Sequence, residues 1–250
     1  MLQTKFCEVF RSSKPIIGMI HLTGDDPVSR ALDELRVFEE EGLDGVIVEN
    51  YHNKDPRVLE QALQVVSRQA VRVAVGVNVS PNDYHRSITL ATQTHASFVK
   101  LDHVGGRYEQ GSLDYNLSEY ETIRARYPRI PVLGGVHPKD YIPFLGSSLG
   151  SDLHQGARRA DAIVVSGYRT GMETPLARIA EFRRILGEYP LIIGAGLNPT
   201  NAYAQLQIAD GAIVGTWLKV GDDTRNDLDR YKIRDLMVEV YRVRSSAKTL

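Results

Sequence analysis

The sequence predicts a single (β/α)8 barrel of the TIM-barrel class, and three observations lead to that prediction. The chain has 250 residues, which is a typical length for such a barrel. Short runs rich in Val and Ile recur along it without polar alternation, as parallel strands buried on both faces require. Stretches of helical character separate these runs and are long enough for crossover connections. One domain over residues 1–250 is therefore predicted, with a core from about residue 14 to residue 244.

Eight apolar runs are the predicted strands. One strand-helix unit recurs about every 30 residues, which is the usual size of this unit. Because eight units and the total length both suit a closed barrel, that arrangement is favoured over an open doubly wound sheet, which stays the alternative. The predicted strands occupy residues 15–20, 45–48, 71–77, 98–101, 132–136, 162–165, 191–193 and 212–214.

Capping signals mark several predicted helix boundaries. Asp26-Pro27, Ser80-Pro81 and Asn198-Pro199 each place a capping side chain before a proline, and the fixed φ of proline suits the first helical turn. Gly42 and Gly187 stand where a left-handed residue ends a helix. These boundaries give the alternation of strands and helices that a barrel needs.

An extra amphipathic helix is predicted after the eighth strand. Over residues 231–244, Ile233, Leu236, Met237 and Val240 recur at helical spacing. This apolar stripe either closes the outer ring of helices or packs on another subunit. The second arrangement would make the protein a homo-oligomer.

The composition argues against several classes of partner. Lys and Arg number 30 against 31 Asp and Glu, so the net charge is -1 and no long-range field attracts nucleic acid. No apolar run approaches the ~20 residues of a membrane span, and the first residues lack the apolar core of a secretory signal. A cytoplasmic protein is expected. The single cysteine excludes an internal disulfide and a cysteine-based metal cluster.

Glycine-bearing segments follow the seventh and eighth predicted strands, where barrel active sites lie. Backbone N–H groups approach a phosphate closely where no Cβ intervenes, and a following helix N-terminus adds donors. Tight turns are the alternative explanation of these glycines. The predicted substrate-binding residues on this side are Gly194, Gly196, Asn198, Gly215 and Thr216, with Ser166 and Gly167 as a further rim.

Ionisable side chains follow the other strands. Lys100 and Asp102 project to the same side of the fourth strand, where they either form a structural ion pair or hold an ammonium ready for a substrate oxygen. Glu49 and His137 are candidate proton-transfer groups, and Lys139 follows His137 in the same turn. The predicted catalytic residues are Glu49, Lys100, Asp102 and His137.

Three further strand-end residues are predicted to bind substrate: His21, Asn50 and Asn78. The imidazole and carboxylate groups at these strand ends could instead ligate a divalent metal. No HExxH or cysteine spacing supports a dedicated metal site. No cofactor is therefore predicted, and a divalent metal stays open.

Five segments of the chain resemble the BtpA family, which includes sugar-operon SgcQ-type proteins and a cyanobacterial photosystem I biogenesis factor. They are residues 15–22 (PIIGMIHL), 45–50 (GVIVEN), 76–79 (GVNV), 166–171 (SGYRTG) and 210–219 (DGAIVGTWLK). The resemblance implies a barrel and a phosphorylated ligand, but no agreed reaction. The chain departs from the family pattern in a shorter loop after His21 and in the turn that contains His137.

Two functional hypotheses follow. The first is an enzyme that acts on a phosphorylated sugar or nucleotide-like metabolite with isomerase or lyase-like chemistry. The second is a non-catalytic biogenesis or regulatory factor that works through protein partners, for which a large exposed apolar patch would be the mark.

Overall fold

The computed structural model describes residues 5–10 and 12–246, and within them eight parallel strands form a closed barrel in chain order. The first strand pairs with both the second and the eighth. This confirms the predicted fold class. The strands are β1 (Ile16–His21), β2 (Gly45–Glu49), β3 (Ala74–Asn78), β4 (Phe98–Gly105), β5 (Val132–Val136), β6 (Ala162–Val165), β7 (Leu191–Ile193) and β8 (Gly211–Val214).

Helices follow the strands and surround the barrel, and one short helix precedes β1. Their apolar residues pack on the outer face of the strands in one continuous core. The helices are α1 (Lys5–Val9), α2 (Pro27–Glu40), α3 (Pro56–Gln69), α4 (Tyr84–Thr94), α5 (Leu117–Arg126), α6 (Leu149–Arg159), α7 (Leu176–Leu186), α8 (Pro199–Ile208) and α9 (Arg230–Ser246).

The barrel interior is filled with side chains at its N-terminal end. Ile17, Ile47 and Phe98 belong to this inner core, with Phe6 and Phe10 packed beneath them. Burial of each such side chain contributes about 1.5–3 kcal/mol to folding. Because the lower barrel is packed, the space for a ligand lies at the C-terminal ends of the strands.

The register of the strands brings polar residues together at that end. His21 pairs with Glu49 across β1 and β2, and Glu49 pairs with Asn78 across β2 and β3. The pairing of β4 with β5 shifts between Leu101 and Gly105, as a bulge would cause. Three adjacent strands therefore end in side chains that can contact one another.

Two predicted boundaries are corrected. The third strand begins at Ala74, because the exposed Val71 and its neighbour donate backbone N–H groups to the Glu39 carboxylate, each at 2.7 Å. The Ser80-Pro81 pair does not start a helix. The helix after β3 begins at Tyr84, and its cap is Asp83. The other predicted caps, Asp26 and Asn198, accept hydrogen bonds from the first turns of α2 and α8.

Helix α9 closes the outer ring. Its apolar stripe is buried, with Ile233, Leu236, Met237 and Val240 each no more than 2% exposed, and the helix packs beside α8. The stripe therefore belongs to the core of this chain. Each helix of the described ranges is too short or too polar to cross a lipid bilayer.

Candidate active site

A cavity of about 440 Å³ opens at the C-terminal ends of the strands. Residues from all eight strands, or from the loops that follow them, form its wall. One side carries ionisable groups on β1 to β5, and the opposite side carries glycines and hydroxyl groups on β6 to β8. The cavity lies where the sequence predicted the active site.

An ion pair lies at the centre of the ionisable side. Lys100 Nζ is 2.6 Å from Asp102 Oδ1, as the alternation along β4 predicts. The second Asp102 oxygen accepts from the Asn82 backbone N–H at 3.2 Å and from the Tyr141 hydroxyl at 3.3 Å. Burial opposes charge on Asp102, but Lys100 and the hydrogen bonds from Asn78 and the Asn82 backbone outweigh it and lower the pKa of Asp102 to about 2.

The pKa of Lys100 moves in the complementary direction. Burial alone would lower this pKa, but the carboxylates of Asp102 and Glu49 outweigh burial and raise it. Both members of the ion pair therefore stay charged at neutral pH, with Lys100 as a fixed positive charge facing the cavity.

Glu49 is a buried carboxyl group beside that pair. It accepts a hydrogen bond from Asn78 Nδ2 at 2.5 Å, and Asn78 also donates to Asp102 at 3.3 Å. Burial raises the pKa of Glu49, and the nearby Lys100 only partly opposes the rise. A carboxyl group with a raised pKa is better suited to take up and return a proton than an ordinary one.

His21 contributes a neutral ring. Its Nε2 lies 3.7 Å from Glu49 Oε2. Burial, and then the positive charges of Lys219 and Lys139, lower the pKa of His21 to about 3. The ring fits against Gly215, where a Cβ would lie 2.9 Å from His21 Cε1. An uncharged imidazole at this place can exchange hydrogen bonds with a ligand.

Lys139 is a second lysine in the cavity wall, which the sequence placed near the strand ends without a role. Its backbone N–H donates to Ser166 Oγ at 2.8 Å, which fixes the loop after β5 against the end of β6. The sequence signal that could have pointed to Lys139 is its position three residues after the last residue of β5. Burial, and then Lys100, lower the pKa of Lys139.

The opposite wall holds most of the predicted phosphate-binding residues. Gly194, Gly196, Gly215 and Thr216 line the cavity, together with Ser166. The loop after β6 adds Thr170 and Gly171, which were not among the predicted site residues. A short helical turn, Thr216–Leu218, follows β8 on this side.

Four of the predicted substrate-binding residues lie outside the cavity wall. Asn50 makes two hydrogen bonds to the backbone of Ser80. A Cβ on Gly167 would lie 2.7 Å from the Glu173 carbonyl oxygen, so this glycine permits close packing of its own loop. Asn198 accepts from Thr200 N–H as the cap of α8. Asn78 lies behind the wall and acts through Glu49 and Asp102.

His137, the fourth predicted catalytic residue, also lies outside the wall. Its backbone adopts a φ of 47°, and its Nε2 lies 2.7 Å from Asp152 on α6. Its carbonyl oxygen accepts from Arg178 at 2.7 Å. The left-handed backbone turns the ring toward the helices, so we leave His137 out of the proposed catalytic set.

The acidic and imidazole side chains do not form a metal-ligand set. In residues 5–10 and 12–246, no three His, Cys, Asp or Glu side chains converge as metal ligands would. Asp102 is already paired with an ammonium group.

Gly196→Ala is expected to lower the free energy of unfolding by about 2–3 kcal/mol. Gly196 has a φ of 73°, and a Cβ there would lie 2.3 Å from the Met172 carbonyl oxygen. The matched control is Gly150→Ala in α6, where a Cβ meets no atom within 4 Å. Urea unfolding measures both variants. Equal midpoints for wild type and Gly196→Ala would contradict this close approach.

Solved barrel structures share the fold at low sequence identity. Phosphoribosyl anthranilate isomerase from Thermus thermophilus has 13% identity and a TM-score of 0.64, over 92% of this chain and 99% of that chain. Thiamine phosphate pyrophosphorylase from Pyrococcus furiosus has 14% identity and a TM-score of 0.61, over 92% of this chain and 96% of that chain. These likenesses establish the fold alone.

Sequence relatives establish the family. An uncharacterized protein of Pyrococcus abyssi is 32% identical over 86% of this chain and 92% of that protein. The photosystem I biogenesis protein BtpA of Synechocystis is 26% identical over 90% of this chain and 88% of that protein. The model of the BtpA family matches residues 12–242. The resemblance predicted from the sequence is thereby confirmed, and the chain belongs to the BtpA family.

Proposed function

We propose that this protein is an enzyme that acts on a small phosphorylated metabolite. The observation that carries the proposal is the division of one cavity into two walls. Glycine-bearing strand ends form one wall, and the Lys100–Asp102 pair with Glu49 forms the other. A ligand held by a phosphate at the first wall would extend its reactive carbon atoms toward the second.

The glycine wall suits a phosphate group. Gly194, Gly196 and Gly215 bring the backbone to the cavity wall, while Val164, Met172 and His21 fill the space that their Cβ atoms would occupy. The first turn of α8, which begins at Pro199 directly after this wall, adds the positive end of a helix dipole. Barrel enzymes frequently bind phosphate at the ends of their last two strands. The two solved structures above carry the names of enzymes of phosphorylated compounds.

The ionisable wall suits isomerase or lyase-like chemistry. Glu49, with its raised pKa, would remove a proton from a carbon atom or return one. Lys100 would stabilise the negative charge that develops on a substrate oxygen, and Asp102 would hold Lys100 in place. His21 would donate or accept a hydrogen bond as a neutral ring.

The proposal predicts stabilisation by phosphorylated ligands. In a thermal-shift screen against inorganic phosphate, ribose 5-phosphate, glucose 6-phosphate and nucleoside monophosphates, at least one phosphorylated compound is expected to raise the Tm. A ligand at 100 times its Kd stabilises the fold by about 2.7 kcal/mol. The unphosphorylated sugars should produce no comparable rise.

Variants test where the ligand binds. Gly215→Asp introduces a negative charge into the wall and should abolish the shift. Gly150→Asp adds the same charge in the first turn of α6, outside the cavity, and should preserve it. A screen in which no phosphorylated compound changes the Tm would overturn the proposal.

One observation favours a non-catalytic factor as the second candidate. Ile142, Phe144 and Leu145 are 52%, 45% and 106% exposed on the loop after β5. Apolar side chains grouped on a surface loop are typical of a protein-binding site. This candidate would gain support if a phosphorylated ligand bound but Glu49→Gln and Lys100→Met left its turnover unchanged. Sedimentation velocity would show whether another copy of this chain is the partner.

A further inference from the structure

Two lysines face the same cavity, and their surroundings differ. Lys100 is held by Asp102 at 2.6 Å. Within the described residues, Lys139 Nζ forms no ion pair and donates no hydrogen bond, although Lys139 lines the cavity. The two lysines therefore differ in how their ammonium groups are paired. Lys100 is a fixed cation, and Lys139 is an amine without a protein partner.

The backbone around Lys139 fixes where this amine lies. Pro138 precedes it, and His137 and Asp140 on either side have φ values of 47° and 63°. The Lys139 backbone N–H is tied to Ser166 Oγ at 2.8 Å. An irregular turn of this kind is retained when surrounding contacts determine it, and such turns cluster at functional sites.

The titratable groups that face Lys139 come from three other elements, β1, β2 and β4, and from its own loop. Burial has the largest effect on its pKa and lowers it, and Lys100 of β4 lowers it further. Glu49, Asp140 and Asp102 oppose the change without reversing it. His21 of β1 lies in the same group as a neutral ring. At neutral pH, the unprotonated and therefore nucleophilic fraction of the Lys139 amine is larger than that of an exposed lysine.

We propose that Lys139 Nζ is a nucleophile that condenses with a ketone or aldehyde group of the phosphorylated substrate. This inference rests on the proposed function and narrows its substrate class to open-chain aldose or ketose phosphates and related carbonyl compounds. Nucleoside monophosphates, which lack a free carbonyl group on the sugar, fall outside that class.

The condensation balances without a further reactant. The nitrogen lone pair forms a bond to the carbonyl carbon, and the carbonyl π electrons move to oxygen, which takes a proton to give a carbinolamine. The nitrogen loses a proton. Glu49 in its protonated form then donates to the hydroxyl group, which leaves as water while the C=N bond forms. The protonated imine draws electrons from a bond at the adjacent carbon, as lyase or isomerase chemistry requires.

Borohydride trapping tests the proposal. Full-length protein is incubated with pyridoxal 5′-phosphate, dihydroxyacetone phosphate or ribulose 5-phosphate, reduced with sodium borohydride, and analysed by intact mass and peptide mapping. One adduct per chain is expected, on Lys139, with inorganic phosphate reducing its yield. At neutral pH, pyridoxal phosphate should label Lys139 faster than the surface residue Lys54, because the lowered pKa of Lys139 increases its unprotonated fraction.

Two variants are compared with the wild type. Lys139→Arg keeps a positive charge but cannot form an imine, so it should lose the adduct and retain the thermal shift with phosphorylated ligands. Lys54→Arg should keep both. Labelling of Lys139 no faster than Lys54, or an adduct on Lys100 instead, would overturn the inference. A thermal shift without any adduct would also overturn it and leave the proposed function standing, whereas the absence of any shift would remove both.

Discussion

Lys219→Met is expected to lower the free energy of unfolding by about 3 kcal/mol, because it leaves a buried carboxylate without its main counter-ion. The Lys219 side chain is 0% exposed and forms an ion pair with Glu34 of α2, whose residue is 4% exposed. In the described part of the chain, Arg30 at 3.2 Å is the other cation paired with Glu34. This residual partner places the loss at the lower end of the 3–5 kcal/mol that breaking a buried pair from one side costs.

A double variant separates the charge from the packing. In Lys219→Met/Glu34→Met both buried charges are absent, and the stability should return to within about 1 kcal/mol of the wild type. Urea unfolding with linear extrapolation gives the comparison. A double variant as unstable as the single one would show that the aliphatic packing of Lys219, and not the unpaired carboxylate, caused the loss.

This pair also affects the candidate site. Lys219 directly follows the turn Thr216–Leu218, whose first two residues line the cavity, and Glu34 lies on α2. The pair therefore attaches the glycine wall to the outer ring of helices. Lys219 is the last residue of segment 210–219, which contributed to the family resemblance. The sequence alone did not show that its side chain pairs with Glu34, which is 185 positions away.

The barrel could be predicted because each strand is recognisable from its own short stretch of sequence. A parallel strand buried on both faces appears as a continuous apolar run, and β5, β6 and β7 begin and end where those runs do. The prediction failed where a tertiary contact overrides the local pattern. Glu39 holds the apolar residues before β3 in a loop, and β4 continues through the polar residues after Leu101.

The ionisable wall could be predicted in part for a similar reason. Glu49, Lys100 and Asp102 lie at strand ends or inside a strand, where alternation decides which side chains face the barrel. His137 lies in a turn, where the backbone and Asp152 determine the direction of its ring. Lys139 received no role because its environment depends on β2, β4 and β6, which are distant in the sequence.

Lowering the pH from 7 to 5 is expected to cost about 2 kcal/mol of the free energy of unfolding through His103 alone. This residue is 4% exposed. Burial lowers the pKa of His103 to about 4; Asp102 opposes this change and Lys100 adds a smaller effect in the same direction as burial. Because the unfolded chain binds this proton near pH 6.5, stability falls as the pH drops from 6.5 toward 4. His21, with a pKa of about 3, acts in the same direction, and protonation of Glu49 acts in the opposite one.

His103→Gln isolates the contribution, because the amide oxygen of glutamine can accept the hydrogen bond that Asn82 makes to His103 Nε2 at 3.2 Å. Urea unfolding at pH 7 and pH 5 should show that this variant loses about 2 kcal/mol less than the wild type between the two. His154→Gln, on the exposed face of α6, is the matched control and should keep the wild-type dependence. If His103→Gln also kept the wild-type dependence, His103 would have to bind its proton within the folded protein, with the adjacent Asp102 as its counter-ion.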